Sequence, residues 1–339
     1  MKHSSFFNNC IHTPRVLLAL IRSVKKQENF LDIHIKPGLD IAMKNNDGSL
    51  DNEDILKVMR YYGLAVPCIL GEALCVLRGK AMSYRERMAF TYQGAMTGLF
   101  DDFFDKEITS DHAVKQLMNS PDSAPVNNSR QALFLDFYRN ALDFSHSPGS
   151  TRHYLQKVYE AQIESKQQAI QNKLSPAELH RITVSKGGHS VLFYRSVMEN
   201  KMEVAEETAL YQMGGLMQFG NDIFDIYKDF NQGIDTMITT VDKIQITRSR
   251  FIDMMNTSFD SMYQTSYPTG NIRKFLRLIS MCLVARCFVF LDQLEKKEKM
   301  TGKFTPQAYN RQDLICDMQK LVNKWRTIKY FVKTGIPLR

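Results

Sequence analysis

An all-α fold is the expectation for this chain, and three observations carry it. Leu, Ala, Met, Lys, Glu and Gln, the residues that lose least on entering a helix, are abundant. Strand-like runs punctuated by Asn-Gly or Gly-Gly are missing. Acidic residues recur at steps of four in two separate runs, Asp101 to Asp105 and Asn221 to Asp229. Four residues advance about 400° around a helix, so each run presents one face. At 339 residues and 44% hydrophobic the chain can bury a large core, and no shift of composition divides it. One helical domain over residues 51–339 is therefore expected, with residues 1–50 packing on it as an N-terminal segment.

Periodicity and turn residues predict about ten helices. The first, 52–78, follows the turn Asn45-Asn46-Asp47-Gly48-Ser49-Leu50-Asp51, and Asp51 is its expected cap. That turn is not a calcium loop: with Gly48 at the sixth position Met43 falls at the first, where Asp is needed. The helix expected at 83–107 carries the first acidic run, with Gly94 and Gly98 one turn apart just before it. Helices at 111–119 and 129–144 flank a stretch rich in Pro, Ser and Asn, and Ser145 to Ser150 forms a second such loop before 151–173. Next come 176–199, whose pattern is interrupted at Lys186-Gly187-Gly188, and 201–231, where Gly214, Gly215 and Gly220 lead into the second acidic run. Helices at 240–265, 271–298 and 306–332 complete the chain. Each glycine costs a helix about 1 kcal/mol. Two readings stay open for them: space beneath a site for a bulky substrate, or close packing of helices.

The remaining composition narrows the function. Val16 to Ile21 is the only early apolar run, too short for a signal peptide, and Arg22, Lys25 and Lys26 follow at once. No stretch approaches the roughly 18 uninterrupted apolar residues of a membrane span. Cys10, Cys68, Cys75, Cys282, Cys287 and Cys316 show no CxxC pairing, so reduced, buried thiols are expected in place of a zinc site. A soluble, cytoplasmic protein follows, with peripheral membrane contact through the basic N-terminal helix, or a homodimer, left open. A net charge of +8 suits an anionic ligand. No nucleic-acid partner is expected, because no helix-turn-helix cue, aromatic RNA-binding motif or zinc finger accompanies the charge.

Apolar and aromatic residues surround both acidic runs: Phe100, Phe103 and Phe104 in the first, Phe219 and Phe224 in the second. Carboxylates facing inward among such neighbours need a cation. Every donor is a hard oxygen, with no His or Cys interleaved, which favours Mg²⁺ or Mn²⁺ over Zn²⁺. Magnesium keeps waters and is held by one or two carboxylates plus phosphate oxygens of a substrate. A phosphorylated ligand completing the site is expected.

The run Asp101-Asp102-Phe103-Phe104-Asp105 resembles the aspartate-rich DDxxD motif of class I isoprenoid synthases, the all-helical superfamily of terpene synthases, trans-prenyltransferases and squalene or phytoene synthases. The run from Gln218 through Asn221, Asp222 and Asp225 to Asp229 resembles their second motif in a mixed way. From Asn221 it is similar to NxxxSxxxE, with Asp225 and Asp229 replacing Ser and Glu. From Gln218 it is similar to the QxxNxxxDxxxD register of squalene and phytoene synthases. It lacks the leading paired Asp of the prenyltransferase motif, because Asn221 stands there. The resemblance reaches the superfamily and leaves its branches open.

The resemblance implies a helical bundle around a central cavity, with the two acidic runs facing each other across it. It implies Mg²⁺, three ions, or Mn²⁺, held by Asp101, Asp102, Asp105, Asn221, Asp222, Asp225 and Asp229. It further implies an allylic isoprenoid diphosphate as substrate, gripped by Lys186, Arg181, Arg195 and Lys228. Lys186 resembles the Lys-Thr phosphate element of trans-prenyltransferases, with Gly187 in place of Thr. Thr97, Phe100, Phe104, Gln218 and Phe219 are the expected cavity wall. The Asn221 register points first to a terpene synthase, a lyase that cyclises or rearranges the carbocation. The alternatives are condensation of two isoprenoid diphosphates, chain elongation, and a helical lipid-binding or scaffold protein without turnover.

Overall fold

The computed structural model describes residues 2–105, 109–169 and 173–333, and leaves the side chains of residues 2–8 and of Asp105 undescribed. Among the described residues thirteen continuous helices occur and no strand, the one β-feature being an isolated antiparallel bridge from Ala169 to Ile234. The helices are α1 (Lys2–His34), α2 (Lys36–Lys44), α3 (Asn52–Arg78), α4 (Tyr84–Asp105), α5 (Asp111–Asn119), α6 (Ser129–Phe144) and α7 (Pro148–Ser165). They continue with α8 (Pro176–Arg195), α9 (Val204–Phe224), α10 (Ile226–Asn231), α11 (Ile244–Met262), α12 (residues 269–301) and α13 (Leu321–Lys333). The all-α expectation holds. The expected count of about ten falls short for two reasons: the first 44 residues are helical, and the 201–231 helix breaks at Asp225.

Contacts divide the chain into two compact units. The N-terminal unit comprises residues 18–159 and 193–202, and the C-terminal unit comprises residues 1–17, 160–192 and 203–339.

Within the N-terminal unit, α4 packs most closely on α6 and lies along α3. α3 opens with the expected cap: Asp51 Oδ1 accepts from the Asp54 N–H at 3.0 Å, and Asp54 Oδ2 accepts from the Asp51 N–H at 2.8 Å. The helix then passes through two π-helical stretches, Lys57–Tyr61 and Val66–Gly71, the second holding Pro67, which has no N–H to give. Of all described helices, α3 alone is long and apolar enough to cross a membrane, with a mean hydropathy of 1.3 in its most apolar window. More than half of that window is buried against protein, as in a core helix.

Gly94 and Gly98 decide how α3 meets α4. A Cβ at Gly94 would sit 2.5 Å from the Tyr62 carbonyl oxygen, and one at Gly98 would sit 2.8 Å from Lys57 Cβ. These glycines serve close helix packing and open no space for a hydrocarbon chain. The same holds in the C-terminal unit, where α9 packs on α11 and crosses α8. A Cβ at Gly187 would lie 2.1 Å from the Gly214 carbonyl oxygen, and one at Gly214 would lie 2.2 Å from that of Gly187. α8 runs unbroken through Lys186-Gly187-Gly188, so the expected interruption is instead a crossing point. Cys10 is exposed and Cys282 half-buried, whereas Cys68, Cys75, Cys287 and Cys316 are buried as expected.

Candidate functional site

The α8/α9 crossing brings two polar faces together in the C-terminal unit. From α8 come Thr183 and Lys186; from α9 and α10 come Gln218, Asn221, Asp222, Asp225 and Asp229. Asp222 is almost fully buried, and its oxygens accept from Gln218 Nε2 at 2.8 Å and Thr183 Oγ1 at 3.3 Å. Burial still pushes its carboxyl up to about 6, against the pull of Gln218 and of the Lys186 charge, and the Asp225 charge adds to the rise. Asn221 Nδ2 donates to Asp225 Oδ2 at 3.0 Å.

Asp225 occupies the joint itself. Its backbone, at φ −90° and ψ 6°, leaves the helical region, ending α9 and starting α10. The hydrogen-bond ladder bends without parting: the Asp225 N–H donates to the Asn221 carbonyl at 2.8 Å and the Asp229 N–H to the Asp225 carbonyl at 2.9 Å. Half-buried Asp229 therefore stands near both Asp222 and Asp225. Its carboxyl rises to about 8 through burial and then through those two negative charges, with Lys228 and Lys186 only partly offsetting them. Of these interacting carboxyls, burial and mutual repulsion hold Asp229 largely protonated near neutral pH and leave Asp222 mostly ionised.

The first acidic run is built differently. Asp102 is buried at the end of α4 and both its oxygens are engaged: Oδ1 by Lys57 Nζ at 2.5 Å, Oδ2 by Arg130 Nη1 at 2.9 Å. Arg130 also reaches Asp54 at 2.8 Å and the Ser49 carbonyl at 2.6 Å, tying the starts of α3 and α6 to the end of α4. Burial, with the adjacent Asp102 carboxyl contributing, raises Asp54 to about 6. Asp102, expected as a metal ligand, is thus committed to an internal ion-pair network. Gly98 makes this possible by letting α3 come close enough for Lys57 to reach it. Asp101 is half-buried, and its charge adds to the burial that drives up the hydroxyl of Tyr194, whose Oη lies 2.8 Å from Thr97 Oγ1. The Asp105 side chain lies outside the described residues.

The expected diphosphate grips separate. Lys186 and Lys228 adjoin the Asp222–Asp229 cluster. Exposed Arg181 pairs with Glu164, and buried Arg195 donates to the Asn200 carbonyl at 3.0 Å. Among the expected wall residues, Phe100 stacks on Phe134 with centroids 5.7 Å apart, Phe104 contacts Tyr159, and Phe219 contacts Phe251 at 5.9 Å. These are ordinary core ring contacts. Thr97 is tied to Tyr194, and Gln218 orients Asp222. The sequence reading missed Asp54, Lys57, Arg130 and Thr183. Only Asp54 left a signal there, as the third residue after the cap Asp51.

Mg²⁺ fits the donor chemistry of the α9–α10 joint, which offers carboxylate and amide oxygen alone. Among the described residues no three His, Cys, Asp or Glu side chains stand ready to hold an ion by themselves. A metal there would need water and substrate phosphate to fill its shell, which is magnesium's habit. No described protein family, curated protein or solved structure matches the chain.

Proposed function

We propose that this protein is a Mg²⁺-dependent enzyme that ionises an allylic isoprenoid diphosphate and lets the carbocation cyclise or rearrange, as a terpene synthase does. One observation supports the reading most: Asp222, Asp225 and Asp229 gather at the α9–α10 joint beside Lys186 and Lys228, where burial and mutual repulsion raise the Asp229 carboxyl to about 8. Asn221, Asp225 and Asp229 would hold the ion, and the proposal gives Asp101 and Asp105 the same role in the first run. Bound Mg²⁺ supplies the positive charge that makes diphosphate a competent leaving group. Lys186 and Lys228 add charge to the phosphate oxygens. Asp229 carries a proton at neutral pH in the ion-free protein and gives it up when a cation arrives, so ion uptake releases a proton. Gln218 and Thr183 hold Asp222 in place and keep it from competing for the ion.

The Gln218-to-Asp222 hydrogen bond favours a second reading, condensation of two isoprenoid diphosphates, because that Gln belongs to the squalene and phytoene synthase register. Incubation with Mg²⁺ and geranyl, farnesyl or geranylgeranyl diphosphate, each with and without isopentenyl diphosphate, separates the readings. A hydrocarbon or alcohol from one diphosphate marks the synthase. A head-to-head product marks the condensing enzyme, and a longer diphosphate that requires isopentenyl diphosphate marks an elongating one. Binding without turnover marks a lipid-binding protein. The double variant Asn221→Ala, Asp225→Ala is expected to abolish turnover with unchanged far-UV circular dichroism. Undiminished turnover in that variant refutes the site.

A further inference from the structure

Helix α13 is turned inside out relative to an ordinary surface helix, which buries its apolar stripe and exposes its polar face. Leu321, Val322 and Trp325 are 82%, 68% and 69% exposed. Ile328 and Val332 are partly exposed, and with Leu321 and Trp325 they fall within about 60° of one another around the helix. The inward face is mixed: Phe331 is fully buried and Tyr330 stacks on Phe288, and the other groups turned inward are polar. Asn323 and Thr327 are buried, Asn323 donates to the Asp317 carbonyl at 2.8 Å, and Arg326 and the Tyr330 hydroxyl meet Asp292 at 3.0 and 2.6 Å. These bonds fix the rotation of α13 against α12, so the outward stripe is a settled feature of the C-terminal unit.

Lysines border that stripe on both sides: Lys329 and Lys333 on one, Lys320 and Lys324 on the other, all exposed. Asp317 is the last acidic residue of the chain. An apolar stripe with Trp at its centre and Lys on its flanks is complementary to a lipid–water boundary carrying negative headgroups: the rings and aliphatic chains enter the acyl edge and the ammonium groups meet the phosphates. We propose that α13 docks this protein on anionic phospholipid bilayers, with Leu321, Trp325, Ile328 and Val332 inserted and Lys320, Lys324, Lys329 and Lys333 engaging headgroups. The inference stands apart from the catalytic reading and survives its failure.

Trp325 is the only tryptophan, so its emission reports the docking directly. The full chain is titrated with vesicles of phosphatidylcholine alone and of phosphatidylcholine with phosphatidylserine. A blue shift, quenching by brominated lipid, and co-sedimentation are expected only with phosphatidylserine present, and all fall as salt is raised. The variant Lys324→Glu, Lys329→Glu keeps the reporter and is expected to bind at least about tenfold more weakly. Leu321→Ser weakens binding similarly. All three positions are exposed, so far-UV circular dichroism and melting temperature stay unchanged. Emission indifferent to both vesicles overturns the proposal, as does equal binding to both lipids by the charge variant and the parent. A blue shift that grows with protein concentration without lipid, with doubled mass, also overturns it and assigns the stripe to a second copy of this chain.

Discussion

Replacing Asp229 by Asn should stabilise the ion-free protein at alkaline pH and leave it almost unchanged in acid. The carboxyl rises from 3.8 to about 8 on folding. Between those values the folded protein holds a proton that the unfolded chain has released, so stability is lost as pH rises through that window. At about 1.4 kcal/mol per unit the full displacement amounts to nearly 6 kcal/mol, and partial solvent access to this half-buried group brings it to about 2–4 kcal/mol at pH 8. Asn keeps the shape and carries no charge to lose. For 339 residues unfolding as one transition, that corresponds to a melting temperature higher by about 3–6 °C at pH 8, with curves that converge near pH 4. Asp222, raised to about 6, gives the parent a further loss between pH 4 and 6 that the variant retains. Differential scanning calorimetry across pH 4 to 9 in chelator measures both. A pH-independent difference, or a variant less stable than the parent at pH 8, refutes the cluster of mutually repelling carboxyls.

Three further outcomes are expected. Gly187→Ala places a methyl 2.1 Å from the Gly214 carbonyl oxygen, so it should force α8 and α9 apart and cost about 3 kcal/mol in urea denaturation. Asp102→Ala leaves Arg130 and Lys57 without their shared partner, and a loss of about 3–5 kcal/mol is expected; Asp101→Asn should instead lose turnover at unchanged stability. Lys186→Ala removes a cation facing Asp222 and Asp229, and titration calorimetry should show Mg²⁺-dependent pyrophosphate binding weakened about tenfold.

Much of the helical order was legible because local signals coincide. Asp51 and Asp54 announce the start of α3, Gly79 ends it with a positive φ, and Pro, Ser and Asn mark the chain between α5 and α6. α1 and α2 were not among the ten expected helices, although the basic N-terminal stretch was read as helical; α1 runs through Pro14, and α2 holds Pro37 and Gly38. Nothing in Asn-Asp-Ile-Phe-Asp reads as a stop, so the break at Asp225 was also invisible. The acidic spacing did identify residues that interact, Asp222, Asp225 and Asp229. It did not reveal that Asp102 is already neutralised, because Lys57 and Arg130 reach it from 45 and 28 residues away. The glycines show the same limit: spacing reveals that a close approach occurs, while only the fold shows that the visitor is another helix.

The central claim is that the α9–α10 joint binds diphosphate through a divalent cation, and thermal melting in the presence of Mg²⁺ and pyrophosphate tests it most directly. The melting temperature of the parent should rise only when both are added, while the Asn221→Ala, Asp225→Ala variant stays flat. A rise with neither dependence on Mg²⁺ nor sensitivity to those substitutions contradicts the account.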